Sequence, residues 1–138
     1  IGIPPERWVL YGESLGTGVA TEMAYRYAVS GMSVGALVLE APFTSMGDAA
    51  AVHYPYIPTR LLVRDKYDSI AKIDAINTSL MIVHGAADQT VPQKLGRRLF
   101  DAAKKPKSSL WLRRAGHNDL YDFGVAPLII RFARLNLS

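Results

Sequence analysis

Residues 8–18 read Trp-Val-Leu-Tyr-Gly-Glu-Ser-Leu-Gly-Thr-Gly, and three local preferences meet in that one stretch. Trp8 to Tyr11 is a short continuous apolar run, the pattern of a strand covered on both faces. Gly12 and Gly16 bracket Ser14, so the backbone can turn sharply there with little side-chain bulk. Beyond Ser14, Ala20, Met23, Ala24, Tyr27 and Ala28 recur at helical spacing, and Gly31 supplies a stop. The stretch predicts a strand, a tight turn and a helix.

Three further apolar runs resemble the first: Ala36 to Leu39, Leu80 to Val83 and Leu110 to Leu112. None alternates apolar with polar residues, and helical patterns fall between or after them, which predicts an α/β fold with a mostly parallel sheet of about four strands flanked by helices. A second helix is expected from Pro92, with Thr90 and Gln93 at capping-box spacing and Val91, Leu95, Leu99 and Ala103 on one face, ending before Pro106. A last helical stretch, about Asp119 to Leu135, is expected to bury Leu120, Phe123, Leu128, Ile129, Phe132 and Ala133 and to break at Pro127. Gly47 to Ile76 is longer than an ordinary connection and holds Pro55, Pro58 and three tyrosines, so a cap-like insertion with two short helices is expected there. No repeat or flexible linker divides residues 1–138, which read as one domain.

With 49% hydrophobic and 20% charged residues, the chain has the composition of a folded domain rather than a disordered one. No apolar run approaches the roughly 20 residues of a membrane helix, and nothing in the segment indicates membrane contact. A net charge of +4, spread over scattered Lys and Arg, gives no nucleic-acid surface. The chain has no cysteine, which removes disulfides, thiol nucleophiles and thiolate metal sites and agrees with a cytoplasmic location. Ile1 opens the chain with no signal-like stretch after it, so any targeting segment is expected upstream.

Gly12-Glu13-Ser14-Leu15-Gly16 is a G-x-S-x-G pattern in the strand-to-helix setting that a nucleophile elbow requires. A serine hydroxyl needs a base to be nucleophilic, and the chain has three histidines. His117 lies in a loop between the last strand and last helix, where a side chain can face a cleft at the strand ends, and is the expected base. His84 ends a strand and reads as structural; His53 sits in the insertion and reads as a surface or lid residue. Asp88 follows the third strand and is the expected acid, holding the imidazole tautomer. Glu40, at the end of the second strand, is the rival carboxylate, otherwise a polar anchor under the Pro42-Phe43-Thr44 turn.

The order Ser, Asp, His, together with GESLGTG, LVLEAPFTS, PTRLLVRDKYDSIAKI, VHGAADQTVP and GHNDL, resembles the BEM46/ABHD13-like branch of the α/β hydrolases over essentially the whole chain. The resemblance implies the C-terminal part of an α/β-hydrolase fold, from the elbow onward. It also implies a serine hydrolase of ester or thioester substrates, using no metal or cofactor; a peptidase-like hydrolase, an acyltransferase and a non-catalytic scaffold are the alternatives. Leu15 N–H is expected to donate one oxyanion hydrogen bond, with the second coming from a loop after an earlier strand. Phe43, Tyr54, Tyr56 and Val91 are candidate pocket residues for a small ester or acyl substrate. The apolar strand Trp8 to Tyr11 is expected to be flanked on both sides, and left as an edge it would promote self-association.

Overall fold

In the computed structural model, residues 2–64 and 66–137 are described. Ile1, Ser138 and Asp65, the last within the RDKYDS stretch, lie outside the described residues. The elements run β1 (Val9–Glu13), α1 (Leu15–Val29), β2 (Ala36–Glu40), α2 (Met46–His53), α3 (Thr59–Leu62), β3 (Ser79–Gly85), α4 (Gln93–Ala102), β4 (Lys107–Leu112) and α5 (Val125–Leu137). Short 3-10 turns cover Pro5–Arg7, Ser69–Ala71, Ile73–Ala75 and Leu120–Phe123.

The four strands form one parallel sheet in the order β1-β2-β3-β4. Each connection passes over a face of the sheet, so both faces are covered and the central strands need no alternation. Leu37, Leu39, Leu80 and Ile82 pack with Ala20 and Ala24 of α1 and Leu99 of α4. On the opposite face Val38, Met81 and Val83 pack with Ala115, Leu120, Val125 and Ile129. β1 is an edge of the described sheet, with Val9 and Leu10 half-buried and Tyr11 exposed.

All four strands appear, each reaching beyond its apolar run. The polar pair Glu13 and Glu40 extends β1 and β2 by register, and His84 and Gly85 extend β3 against Trp111 and Leu112. Four details differ from the sequence reading. The buried face of α1 is Thr17, Gly18, Ala20, Thr21 and Ala24, and Met23 is exposed, because small residues allow the helix to lie close on the sheet. No side-chain cap forms at α4, because Asp88 Oδ1 accepts the N–H groups of Thr90 and Val91 and Gln93 turns back to His84 O. The last helical stretch breaks at Gly124 (φ 75°) instead of Pro127, which falls in the first turn of α5, where a helix does not require its N–H. That break resets the helical phase, so Val125 and Ile129 are buried while Phe123 and Leu128 are exposed.

The insertion between β2 and β3 contains the two expected short helices, α2 and α3, followed by two 3-10 turns. Ser45 caps α2 by accepting the Asp48 N–H. Among the described residues no helix is long and apolar enough to cross a membrane.

Candidate active site

Ser14 occupies the single residue between β1 and α1, with φ 53° and ψ −116°, a backbone conformation that non-glycine residues rarely adopt. Its N–H donates to Glu40 O at 2.9 Å, and its carbonyl accepts from Thr17 N at 3.0 Å and Thr17 Oγ1 at 2.6 Å. The turn is so tight that a Cβ on Gly12 would overlap the Gly16 carbonyl. Gly16 itself has open space where a side chain would go, so the crowding expected on both sides of Ser14 falls on Gly12 alone.

His117 lies after β4, in a loop shaped by a bond from Gly116 N to Asp119 Oδ1 at 2.6 Å. Its Nε2 is 3.0 Å from Ser14 Oγ, and its Nδ1 is 2.8 Å from Asp88 Oδ2. Asp88 follows β3, where the parallel register ends the strand beside β4. The loops after β1, β3 and β4 thus bring Ser14, Asp88 and His117, far apart in sequence, into one hydrogen-bonded row at the C-terminal edge of the sheet.

The Asp88 side chain is fully occupied. Oδ1 accepts Thr90 N at 2.9 Å and Val91 N at 2.8 Å, while Oδ2 faces His117 and lies 3.5 Å from His84 Nε2. Burial opposes ionisation, but hydrogen bonds from His84, His117 and Val91 N–H overcome it and hold the carboxyl at about 2, below its ordinary 3.8. Asp88 is therefore ionised at neutral pH and fits a hydrogen-bond donor at His117 Nδ1, which leaves Nε2 free to accept from the serine hydroxyl.

His84 is fully buried, and its Nε2 lies 2.7 Å from Val91 O, which requires the proton on Nε2. Its Nδ1 has no partner and rests on Gly96, where any side chain would collide with the ring. Glu40 is also fully buried, and its burial pushes the carboxyl up. Neither of its carboxylate oxygens has a hydrogen bond of acceptable geometry, so the nearby hydroxyls of Tyr11 and Tyr121, bonded to each other at 2.5 Å, offset only part of that cost. Its backbone, through the Ser14 N–H bond, is what reaches the site.

An apolar cavity of about 250 Å³ opens beside Ser14. Phe43 and Val91 line it, as does the side chain of Leu15, whose N–H begins α1. Its remaining wall is α2, through Met46, Ala49, Ala50 and His53, with Thr90 beside them. Tyr54 and Tyr56 do not line it, because α2 ends at His53 and the chain then turns outward, leaving Tyr54 exposed and Tyr56 fully so. Small Ala49 and Ala50 create the space that the larger tyrosines were expected to border. A larger cleft of about 460 Å³ lies elsewhere, around Arg26, Tyr67 and Lys72, and is crossed by ion pairs from Glu22. Among the described residues no three His, Asp or Glu side chains cluster as metal ligands.

No family model matches the chain. An uncharacterised protein of Mycobacterium tuberculosis is 39% identical over 117 residues, covering 85% of this chain and 40% of that protein. Human alpha/beta hydrolase domain-containing protein 17B is 32% identical over 123 residues, covering 89% of this chain and 40% of its own length. The chain thus spans about two-fifths of the length of these curated relatives. Among solved structures, acetyl xylan esterase 1 from Thermoanaerobacterium superposes with a TM-score of 0.74 at 20% identity, covering 97% of this chain and 47% of that one, a likeness of fold. The parallel four-stranded sheet, its flanking helices and these relatives agree: the chain belongs to the α/β-hydrolase superfamily.

Proposed function

We propose that this chain carries the chemistry of a serine hydrolase acting on carboxylic esters or thioesters, with Ser14 as nucleophile, His117 as general base and Asp88 as the orienting acid. The observation that carries the reading is the row Asp88 Oδ2, His117 Nδ1, His117 Nε2, Ser14 Oγ, linked at 2.8 and 3.0 Å and opening on an apolar cavity. In this reading the strand–turn–helix at Ser14 is a nucleophile elbow.

Ser14 Oγ attacks the acyl carbonyl while His117 Nε2 takes its proton, and Asp88 stabilises the imidazolium that forms. The proton then passes to the leaving alcohol or thiol, giving an acyl-serine, and water activated by the same imidazole releases the acid. The Leu15 N–H, free at the start of α1, donates to the oxyanion. A second donor is assigned to a loop from the remainder of an α/β-hydrolase sheet beside β1. EAPFTS and RDKYDS support a BEM46/ABHD13-like branch.

The cavity suggests the acyl part of the substrate. Its lining is apolar and its volume about 250 Å³, the size of a small acyl group's site. Short to medium linear acyl chains therefore fit, and long chains would extend beyond the cavity. Incubation with a fluorophosphonate probe followed by peptide mass spectrometry tests the chemistry: adduct on Ser14, lost in Ser14→Ala and His117→Ala, is expected. Unmodified Ser14 in a folded protein would refute it.

A further inference from the structure

The surface immediately after α2 is unusually apolar. Within the nine residues 54–62, Tyr54, Tyr56, Ile57, Leu61 and Leu62 are 59%, 99%, 48%, 79% and 68% exposed. Scattered apolar side chains on a surface are ordinary, but five large ones within nine residues on one protrusion are not. Local hydrogen bonds fix the protrusion: Ile57 N donates to Tyr54 O, Thr59 N to Ile57 O, and Leu61 N to Pro58 O. Buried Thr59 anchors its base through Oγ1 to Gly47 O. The apolar side chains therefore stay outward because the backbone beneath them is pinned to α2.

Basic residues surround this tip. Arg60, Arg64 and Lys66 stand against a single carboxylate, Asp65, in the same stretch of sequence. Lys94 and Arg98 of α4 share a shallow groove with Pro55 and Arg60. Asp48 already holds Arg60 at 2.5 Å, which leaves the excess positive. Aromatic and aliphatic side chains projecting from a collar of Lys and Arg match the layered chemistry of an anionic bilayer surface, where rings settle at headgroup level and cations meet lipid phosphates.

Against the reading from sequence, which found no sign of membrane contact, we propose that residues 54–64 and Lys66 dock this protein on an anionic lipid surface. Tyr54 follows His53, a wall residue of the Ser14 cavity, so docking would keep the cavity close to the interface, where acyl esters of lipids are held. Binding to the surface rests on the exposed residues alone; its service to Ser14 rests also on the proposed hydrolase chemistry.

Flotation of the protein with vesicles of phosphatidylcholine, and with equimolar phosphatidylcholine and phosphatidylglycerol, separates the contributions. The mixed vesicles are expected to carry the protein to the top of the gradient and the neutral ones to carry far less, with binding falling as salt rises. Arg64→Glu with Lys66→Glu should lower partitioning at least about tenfold, and Tyr56→Ser with Leu61→Ser and Leu62→Ser about a hundredfold. Both variants should still react with a fluorophosphonate and cleave a water-soluble short-chain ester at the unaltered rate, which also verifies folding. Flotation with neither vesicle, or equal flotation of the variants and the unaltered protein, overturns the proposal. So does concentration-dependent dimerisation abolished by the same serine substitutions without flotation, which would assign the tip to a second copy of the chain. Loss of probe labelling at Ser14 with vesicle binding intact would refute the hydrolase reading and leave the docking surface standing.

Discussion

Asp88→Asn changes one atom type at a position where the kinetic and the stability consequences follow separately from the geometry. Asp88 Oδ1 accepts two backbone N–H groups, at 2.9 and 2.8 Å. An asparagine oxygen serves that role equally well, and its NH₂ group then faces His117 Nδ1, where Oδ2 had been 2.8 Å away. Two donors cannot face each other, so the imidazole is driven to carry its proton on Nε2, and an Nε2–H cannot accept from Ser14. Turnover is expected to fall about ten-thousand-fold, about 5.5 kcal/mol of transition-state stabilisation at about 1.4 kcal/mol per factor of ten. Product release from a chromogenic short-chain ester, with active sites counted by the fluorophosphonate, measures it. Turnover within tenfold of the unaltered enzyme would refute the role of Asp88, and a larger loss in Glu40→Gln would move that role to Glu40.

The same substitution has a signature in stability. The carboxyl is held at about 2 against an ordinary 3.8, and at about 1.4 kcal/mol per unit this contributes roughly 2.5 kcal/mol to folding. Because the folded value is the lower one, the contribution is fully present above pH 3.8 and is lost as pH falls through about 2. Urea melts of Asp88→Asn should therefore fall below those of the unaltered protein at neutral pH and converge with them in acid. A gap independent of pH would show that the carboxylate charge is not what these hydrogen bonds stabilise.

Ser14→Ala should abolish turnover, by up to about a million-fold, while leaving the thermal midpoint nearly unchanged, as circular dichroism would show. Gly12→Ala forces a methyl group into the Gly16 carbonyl and should cost at least the about 1–3 kcal/mol of ordinary overpacking, read from urea melts. Glu40→Gln removes a buried carboxyl whose ionisation burial opposes; it should raise stability most at alkaline pH, with the gain fading as pH falls toward the ordinary 4.5, and an unchanged gap would exclude this cause. Ala49→Phe fills part of the cavity and should lower kcat/KM for six- to eight-carbon acyl esters, at about 1 kcal/mol per methylene displaced, while sparing acetate esters.

The sequence was most informative where one local preference sufficed. Continuous apolar runs marked all four strands because both faces of the sheet are packed, fully over β2 and β3 and in part over β1 and β4, and the bracketed Ser14 marked the turn because Gly12 has no room for a Cβ. It was least informative where a residue's role depends on a partner distant in the chain. Thr17 is buried in α1 because its hydroxyl and N–H close on the Ser14 carbonyl, and no apolar periodicity reports that. His84 reads as structural and is buried as such, but its partners, Val91 O and the missing side chain of Gly96, are not legible; Gly96, alone in an otherwise strong helical pattern, is the available signal. The cavity wall was misread for a similar reason. Tyrosines draw attention by size, whereas Ala49 and Ala50 make room for a ligand by being small, and only the path of the chain after His53 reveals which pair faces Ser14.

The three histidines of the chain converge on one short segment. His84 Nε2 bonds Val91 O at 2.7 Å, His53 Nε2 meets Thr90 O at 2.8 Å, and His117 Nδ1 meets Asp88 Oδ2 at 2.8 Å. Within the same four residues Asp88 Oδ1 accepts both the Thr90 and Val91 N–H groups, so the turn is closed on itself before any histidine reaches it. Each ring arrives from a different element: His84 from β3, His53 from the end of α2, His117 from the loop after β4. The carboxylate is thus held in direction by its own backbone, from below by a buried ring, and from the side by the helix that walls the cavity. In the proposed mechanism this joins two tasks that a static list of residues would separate. The helix that walls the acyl cavity and the carboxylate proposed to orient His117 meet on this one turn, through Thr90 O and Asp88 Oδ1.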